Sequence, residues 1–155
     1  MAARKTAKKA ATLKKRAAPT RPAKKPTARE ALERYARGSY PIHHVAEAVC
    51  ACGKRAFSLQ VDDDVGVAVR TCLACGVAHA MGDSAEYLDD AELDECACPC
   101  KSEAFAITVG VSLYADSDDV RWVYIACTCA KCGLAAVYAD WKNEFDDYRK
   151  FLALV

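Results

Sequence analysis

Apolar and polar residues alternate with a period of two through Phe105-Ala-Ile107-Thr-Val109-Gly-Val111-Ser-Leu113, which predicts a half-buried strand. A turn is expected at Asp116-Ser117-Asp118-Asp119, and the chain returns through Val120-Arg-Trp122-Val-Tyr124-Ile125. A shorter version comes earlier. Phe57-Ser-Leu59-Gln-Val61 and Val65-Gly-Val67-Ala-Val69 flank Asp62-Asp63-Asp64, predicting two short strands and an acidic turn. Val45 to Val49 reads as a further strand leading into Cys50. Helical signals lie outside these hairpins. Thr27-Ala-Arg-Glu30 is a capping box, predicting a short helix through Arg37 that Gly38 stops, with Leu32 and Tyr35 as its apolar stripe. Asp83-Ser84-Ala-Glu86 looks like a second helix start. Trp141, Phe145, Tyr148 and Leu152 recur at helical spacing and predict a C-terminal helix over residues 141–153 that covers the sheet.

Cysteines bracket both hairpins. Cys96-Ala-Cys98-Pro-Cys100 precedes the longer one, and Cys127-Thr-Cys129-Ala-Lys-Cys132-Gly133 follows it. Cys50-Ala-Cys52 and Cys72-Leu-Ala-Cys75-Gly76 do the same for the shorter one. A hairpin that brings two cysteine clusters together describes a zinc ribbon, in which four thiolates surround a tetrahedral Zn²⁺. Two such sites follow: Cys50, Cys52, Cys72 and Cys75, then Cys98, Cys100, Cys129 and Cys132. With every ligand position filled by sulfur, both ions are expected to be structural rather than catalytic. His43, His44 and His79 are not needed as ligands. Cys96 and Cys127 are left over, and are expected to lie as neighbours beside the second site, within reach of a disulfide or of substitute ligation.

The two hairpins read as copies of one unit. Cys50-Ala-Cys52 to Phe57 matches Cys98-Pro-Cys100 to Phe105 at an offset of 48, and Cys72 to Cys75 matches Cys129 to Cys132 at an offset of 57. The difference places nine more residues in the second hairpin. Lys101 stands where a ribbon knuckle usually has glycine, and the first knuckles are CxC rather than the commoner CxxC. The expected fold is a small, metal-stabilised, β-rich α+β protein of two tandem zinc ribbons with short flanking helices. Residues 1–26 form a disordered basic tail, 27–44 a short helix and connector, 45–95 the first ribbon, and 96–155 the second ribbon with its helix.

Composition changes the picture in two places. Ten cysteines in 155 residues suit disulfides in a secreted chain, but no apolar leader opens the sequence, and CxC and CxxC pairs close only tiny loops. A reducing compartment is therefore expected, cytoplasmic or nucleoid/nuclear, with no membrane span. The formal net charge of +1 hides a division: residues 1–29 hold 11 Lys or Arg and no acid, while the rest holds 11 basic residues and all 21 acids. Arg4, Lys5, Lys8, Lys9, Lys14, Lys15, Arg16, Arg21, Lys24 and Lys25 are spaced by Ala, Thr and Pro, too polar to pay for ordering. They are the expected nucleic-acid contacts, acting through counterion release without regard to sequence.

The segment resembles the Lys/Ala/Pro tails of linker histones and bacterial histone-like proteins, most closely at Pro22-Ala-Lys-Lys-Pro26. The hairpins resemble the ribbons of transcript-cleavage and related transcription factors, a likeness that implies an acidic hairpin tip reaching a polymerase active centre. Here Asp62-Asp63-Asp64 and Asp118-Asp119 occupy the tips, without that family's acid dipeptide. No Ser-His-Asp set, phosphate loop or carboxylate dyad is apparent, and neither CxxC sits in a βαβ setting suited to thiol redox work. The expected function is a non-enzymatic protein with two structural Zn²⁺ ions, a tail that holds nucleic acid and an acidic body that docks an unknown protein. The alternatives are a protein-interaction module such as an inhibitor or immunity protein, and a transcription-factor-like ribbon.

Overall fold

The computed structural model describes residues 24–155. A helix α1 (Ala28–Tyr35) is followed by strands β1 (His44–Glu47), β2 (Phe57–Asp62), β3 (Val67–Cys72) and β4 (Ala78–Ala80). Two single 3₁₀ turns (Ser84–Glu86 and Leu88–Asp90) lead to β5 (Asp94–Glu95). The longer strands β6 (Phe105–Leu113), β7 (Val120–Cys129) and β8 (Ala135–Lys142) come next, and a one-turn helix α2 (Tyr148–Leu152) ends the chain.

The eight strands form one antiparallel sheet in the order β4-β3-β2-β6-β7-β8, with β1 added to β6 and β5 added to β2. The body is β-rich, as expected, with few helices, and its two hairpins share one sheet. Phe57 of β2 faces Phe105 of β6 at the joint. Beyond it the two strands part, and each free edge is taken by a short strand from the other side. β1 pairs with β6 through Ala46 with Val109 and Glu47 with Thr108. β5 pairs with β2 through Asp94 with Val61 and Glu95 with Gln60. Every residue in the first set lies 48 positions from its counterpart in the second. The Ala48 N–H donates to the Ile107 carbonyl and the Cys96 N–H to the Leu59 carbonyl, both at 2.9 Å, in the same relation. Each hairpin therefore borrows its outer strand from the segment that leads into the other hairpin's cysteines.

One apolar cluster runs through both hairpins, from Leu59 and Val61 through Phe57 and Phe105 to Ile107, Val109, Val123 and Ile125. The opposite face of β7 and β8 is covered by α1, where Leu32 and Ala36 meet Tyr124, Ala126 and Val137. The expected N-cap forms: the Glu30 N–H donates to Thr27 Oγ1 at 3.1 Å, and the Thr27 hydroxyl donates to the Glu30 carboxylate. Gly110 makes the close approach possible, since a Cβ there would sit 3.3 Å from Leu32 Cδ1. Tyr35 Oη and Trp122 Nε1 both donate to the Asp140 carboxylate, at 2.8 and 3.0 Å, and lock α1 to β8.

The C-terminal helix expected over residues 141–153 is not formed as such. Trp141 lies in strand β8, and only Tyr148–Leu152 is helical. The run Ala135-Ala-Val-Tyr-Ala-Asp-Trp141 instead takes the free edge of β7, pairing from Thr128–Ala135 to Trp122–Lys142. The Phe145 N–H then bonds Asn143 Oδ1 at 2.7 Å, a local turn that ends the strand and sets Phe145 against Phe151, ring centroids 5.4 Å apart. The helix start expected at Asp83-Ser84-Ala-Glu86 amounts to a single 3₁₀ turn. β4 is shorter than β8 because Gly82 turns the chain with φ +61°, and Phe151 fills the space where a Cβ would point.

Candidate metal centres

Eight of the ten cysteines gather into two four-thiol clusters: Cys50, Cys52, Cys72 and Cys75, and Cys98, Cys100, Cys129 and Cys132. Within each cluster all four sulfurs lie within 4.8 Å of one another. The Cys50–Cys75 and Cys52–Cys72 sulfurs are 3.6 Å apart, and the Cys98–Cys132 and Cys100–Cys129 sulfurs 3.5 and 3.6 Å. These spacings exclude disulfides, whose S–S bond is about 2.05 Å. A zinc–sulfur distance of about 2.3 Å sets a tetrahedron edge of about 3.8 Å, so either cluster fits a tetrahedral ion. All-sulfur tetrahedral sets suit zinc or iron among the common metals. The described residues place no histidine in either cluster. His43 Nδ1 accepts from the Leu113 N–H, His44 stacks on Tyr148, and His79 Nε2 bonds the Leu154 carbonyl.

The two knuckles of each site come from different strand ends. Cys50 and Cys52 follow β1, while Cys72 closes β3 and Cys75 lies in the β3–β4 turn. Cys98 and Cys100 follow β5, while Cys129 closes β7 and Cys132 lies in the β7–β8 turn. Backbone bonds repeat from site to site. The Cys50 and Cys98 N–H groups donate to the Lys54 and Ser102 carbonyls, and those of Gly53 and Lys101 donate back to the Cys50 and Cys98 carbonyls. The Gly76 and Gly133 N–H groups donate to the Cys72 and Cys129 carbonyls, both at 2.9 Å. Gly53 adopts φ +86° and Lys101, its counterpart, φ +74°. Lysine is thus held in the left-handed region that glycine occupies in the first site.

The thiols of each cluster are shifted in opposite directions: Cys72 and Cys129 are lowered, while Cys52, Cys75 and Cys98 are raised. The Cys75 N–H points at the Cys72 sulfur and brings its pKa down to about 6. At Cys129 burial works against the thiolate, but the Cys132 and Lys131 N–H groups and the Cys100 and Cys98 thiols bring it to about 6 as well. Burial pushes Cys98 up to about 12, and the neighbouring thiols add to the effect.

Cys96 and Cys127 join neither cluster and form no disulfide. Both are buried in the shared core, Cys96 at the edge of β2 and Cys127 on β7 between Ile107 and Ala136. Burial pushes the Cys96 thiol up to about 12 and holds that of Cys127 well above its ordinary value, so both are neutral thiols. Ala48 and Arg70 stand at the matching places of the first hairpin. Arg70 is buried, its guanidinium 4.7 Å over the Phe57 ring and bonded to the Val49 and Val155 carbonyls.

The acidic tips are occupied by their own turns. Asp62 Oδ1 accepts from the Asp64 and Val65 N–H groups and Oδ2 from that of Glu92. Asp118 pairs with Arg149 at 3.0 Å, and Asp119 Oδ1 accepts from the Asp147 N–H. Of the basic segment, Arg4, Lys5, Lys8, Lys9, Lys14, Lys15, Arg16 and Arg21 lie outside the described residues. Lys24 and Lys25 are exposed, and Lys25 Nζ donates to the Cys132 carbonyl. No helix among the described residues is long and apolar enough to cross a membrane. Sequence reasoning did not register the exchanged strands β1 and β5 or the third strand β8; the 48-residue offset, carried back from the cysteines to Ala46 and Asp94, was the available signal for the first.

Compared with known proteins, the chain matches no family model, no curated protein and no solved structure.

Proposed function

We propose that this chain is a non-enzymatic protein in which two structural Zn²⁺ ions close ribbon-like knuckles, that its basic N-terminal segment associates with nucleic acid, and that its acidic body docks a protein partner. The observation that carries the reading is the pair of four-thiol clusters with sulfur spacings of 3.5 to 3.6 Å. Four thiolates leave no ligand position for water or substrate, which favours a structural over a catalytic ion. Free thiolates of this kind suit a reducing compartment. The 11 Lys or Arg in residues 1–29, with no acid among them, favour sequence-blind attraction to phosphates. The likeness of the two hairpins at offsets of 48 and 57 fits an internal duplication.

The test is a binding titration of the zinc-loaded chain against duplex DNA and single-stranded RNA over a salt series. Affinity that falls steeply with salt and ignores sequence supports the reading, whereas no binding at low salt overturns the nucleic-acid half of it.

A second reading, a protein-interaction module such as an inhibitor, is favoured by one feature. Val49, Leu73 and Val77 stand exposed around the first cysteine cluster, together with Leu154. Large apolar side chains grouped on a surface mark protein contacts more often than nucleic-acid contacts.

A further inference from the structure

Three lysines stand close to the second metal centre, against Lys54 at the knuckle of the first. Lys101 directly follows Cys100 and Lys131 directly precedes Cys132, so each Cα is one peptide step from that of a ligand. Lys25 Nζ donates to the Cys132 carbonyl, and its stem lies over Gly133. All three are exposed. At the first centre Gly53 and Ala74 stand where Lys101 and Lys131 stand here.

Their surroundings do not account for them. The described residues hold 14 Lys or Arg against 21 acids, a net −7. Arg29, Arg55, Lys142, Arg149 and Lys150 all hold ion pairs. Among the described residues no carboxylate pairs with Lys25, Lys101 or Lys131; Glu103 is the acid nearest to Lys101 in sequence. A divalent ion held by four thiolates would be a dianion, and three ammonium groups outweigh it. Lys101 is also kept against a backbone cost. Its φ of +74° belongs to the region that glycine, Gly53, occupies in the first knuckle. Strain of this kind gathers where a side chain is needed for binding.

We propose that Lys25, Lys101 and Lys131 form a phosphate-binding face on the Cys98–Cys132 centre, which seats a nucleic-acid backbone. The proposal rests on the nucleic-acid reading above. Each ammonium that meets a phosphate releases a counterion, so the body adds its own share to the salt dependence and fixes where the strand lies.

The test uses full-length, zinc-loaded protein and a fluorescent duplex of random sequence, read by anisotropy over a salt series. Four chains are compared: wild type, Lys101→Gly, Lys101→Gly with Lys131→Ala, and a chain with the eight Lys or Arg of residues 4–21 replaced by Gln. The double variant is expected to bind about 10-fold more weakly, with a log–log salt slope shallower by about two. Lys101→Gly alone should melt higher than wild type and yet bind more weakly, which separates the lysine's binding role from its role in the fold. Residual binding by the Gln-substituted chain supports the proposal. A double variant with wild-type affinity and slope, beside a Gln-substituted chain that no longer binds, overturns the phosphate face and leaves the tail reading standing. A wild-type chain that fails to bind at any salt overturns both.

Discussion

Phe57 and Phe105 face each other across β2 and β6, both fully buried, at the point where the two hairpins join. Phe57 also pairs with Cys72 and Phe105 with Cys129, so each ring sits one strand away from a thiol of its own cluster. The joint thus links the hydrophobic core and both metal centres. Truncating either ring to alanine should cost about 3–5 kcal/mol. Denaturant unfolding of the metal-loaded protein would check this, and a loss under about 1 kcal/mol would show that the joint is not a keystone.

Metal content follows from the cysteine geometry. The purified chain should hold two ions, and Cys72→Ser or Cys129→Ser should each reduce the count to about one. Metal analysis reads the count, and the absence or presence of visible thiolate-to-metal bands separates zinc from iron. Chelation should unfold the body, because the binding free energy of such sites is folding free energy. Circular dichroism unchanged after complete metal removal would contradict this.

The reciprocal strands predict mutual dependence. A chain of residues 27–95 lacks β6 as the partner of β1, and a chain of residues 96–155 lacks both short strands. Neither half should give a dispersed amide NMR spectrum alone, even with zinc. A half that folds by itself would show the exchange to be dispensable.

Gly82 holds φ +61°, and an added Cβ would lie 2.3 Å from Phe151 Cζ. Gly82→Ala should therefore lower stability by about 2 kcal/mol or more, through backbone strain and displacement of the ring together. A companion Phe151→Leu substitution should recover part of the loss. Thermal melts of the single and double variants would show it.

Asp83 gives a pH-dependent prediction. Burial raises its carboxyl above the ordinary carboxylate range, against the opposing hydrogen bond from Asn143 Nδ2. A raised folded-state pKa means that the protonated form suits the fold. That contribution is present below the unfolded value of about 3.9 and is lost as pH rises through the folded value. Asp83→Asn should accordingly be more stable than wild type at neutral pH, with the gap closing as pH falls. Comparing the two proteins at each pH in the same metal buffer removes the shared effect of metal release. A gap that widens toward acid pH would contradict the assignment.

Sequence alone determined what repeats locally. The alternation from Phe105 to Leu113 is a strand, as its period of two predicts, but not the half-buried one expected: Thr108 and Ser112 on its polar face are buried as well. The Thr27 to Glu30 box starts a helix, because its partners lie within one turn of each other. The paired CxC and CxxC spacings announced two four-thiol clusters, because ligands that close around one ion must come in such short knuckles. Tertiary structure decided the rest. Trp141, Phe145, Tyr148 and Leu152 fit helical spacing, yet the open edge of β7 offered a row of unpaired backbone groups, and satisfying those outweighed a weak helical stripe. Likewise β1 and β5 are too short to declare a partner. Each lies beside the hairpin it does not introduce, because β2 and β6 part after Phe57 and Phe105 and each leaves one edge to be filled. Edge complementarity between segments far apart in sequence, such as Glu47 with Thr108 and Val61 with Asp94, leaves no mark in local periodicity, which is why only the folded chain shows it.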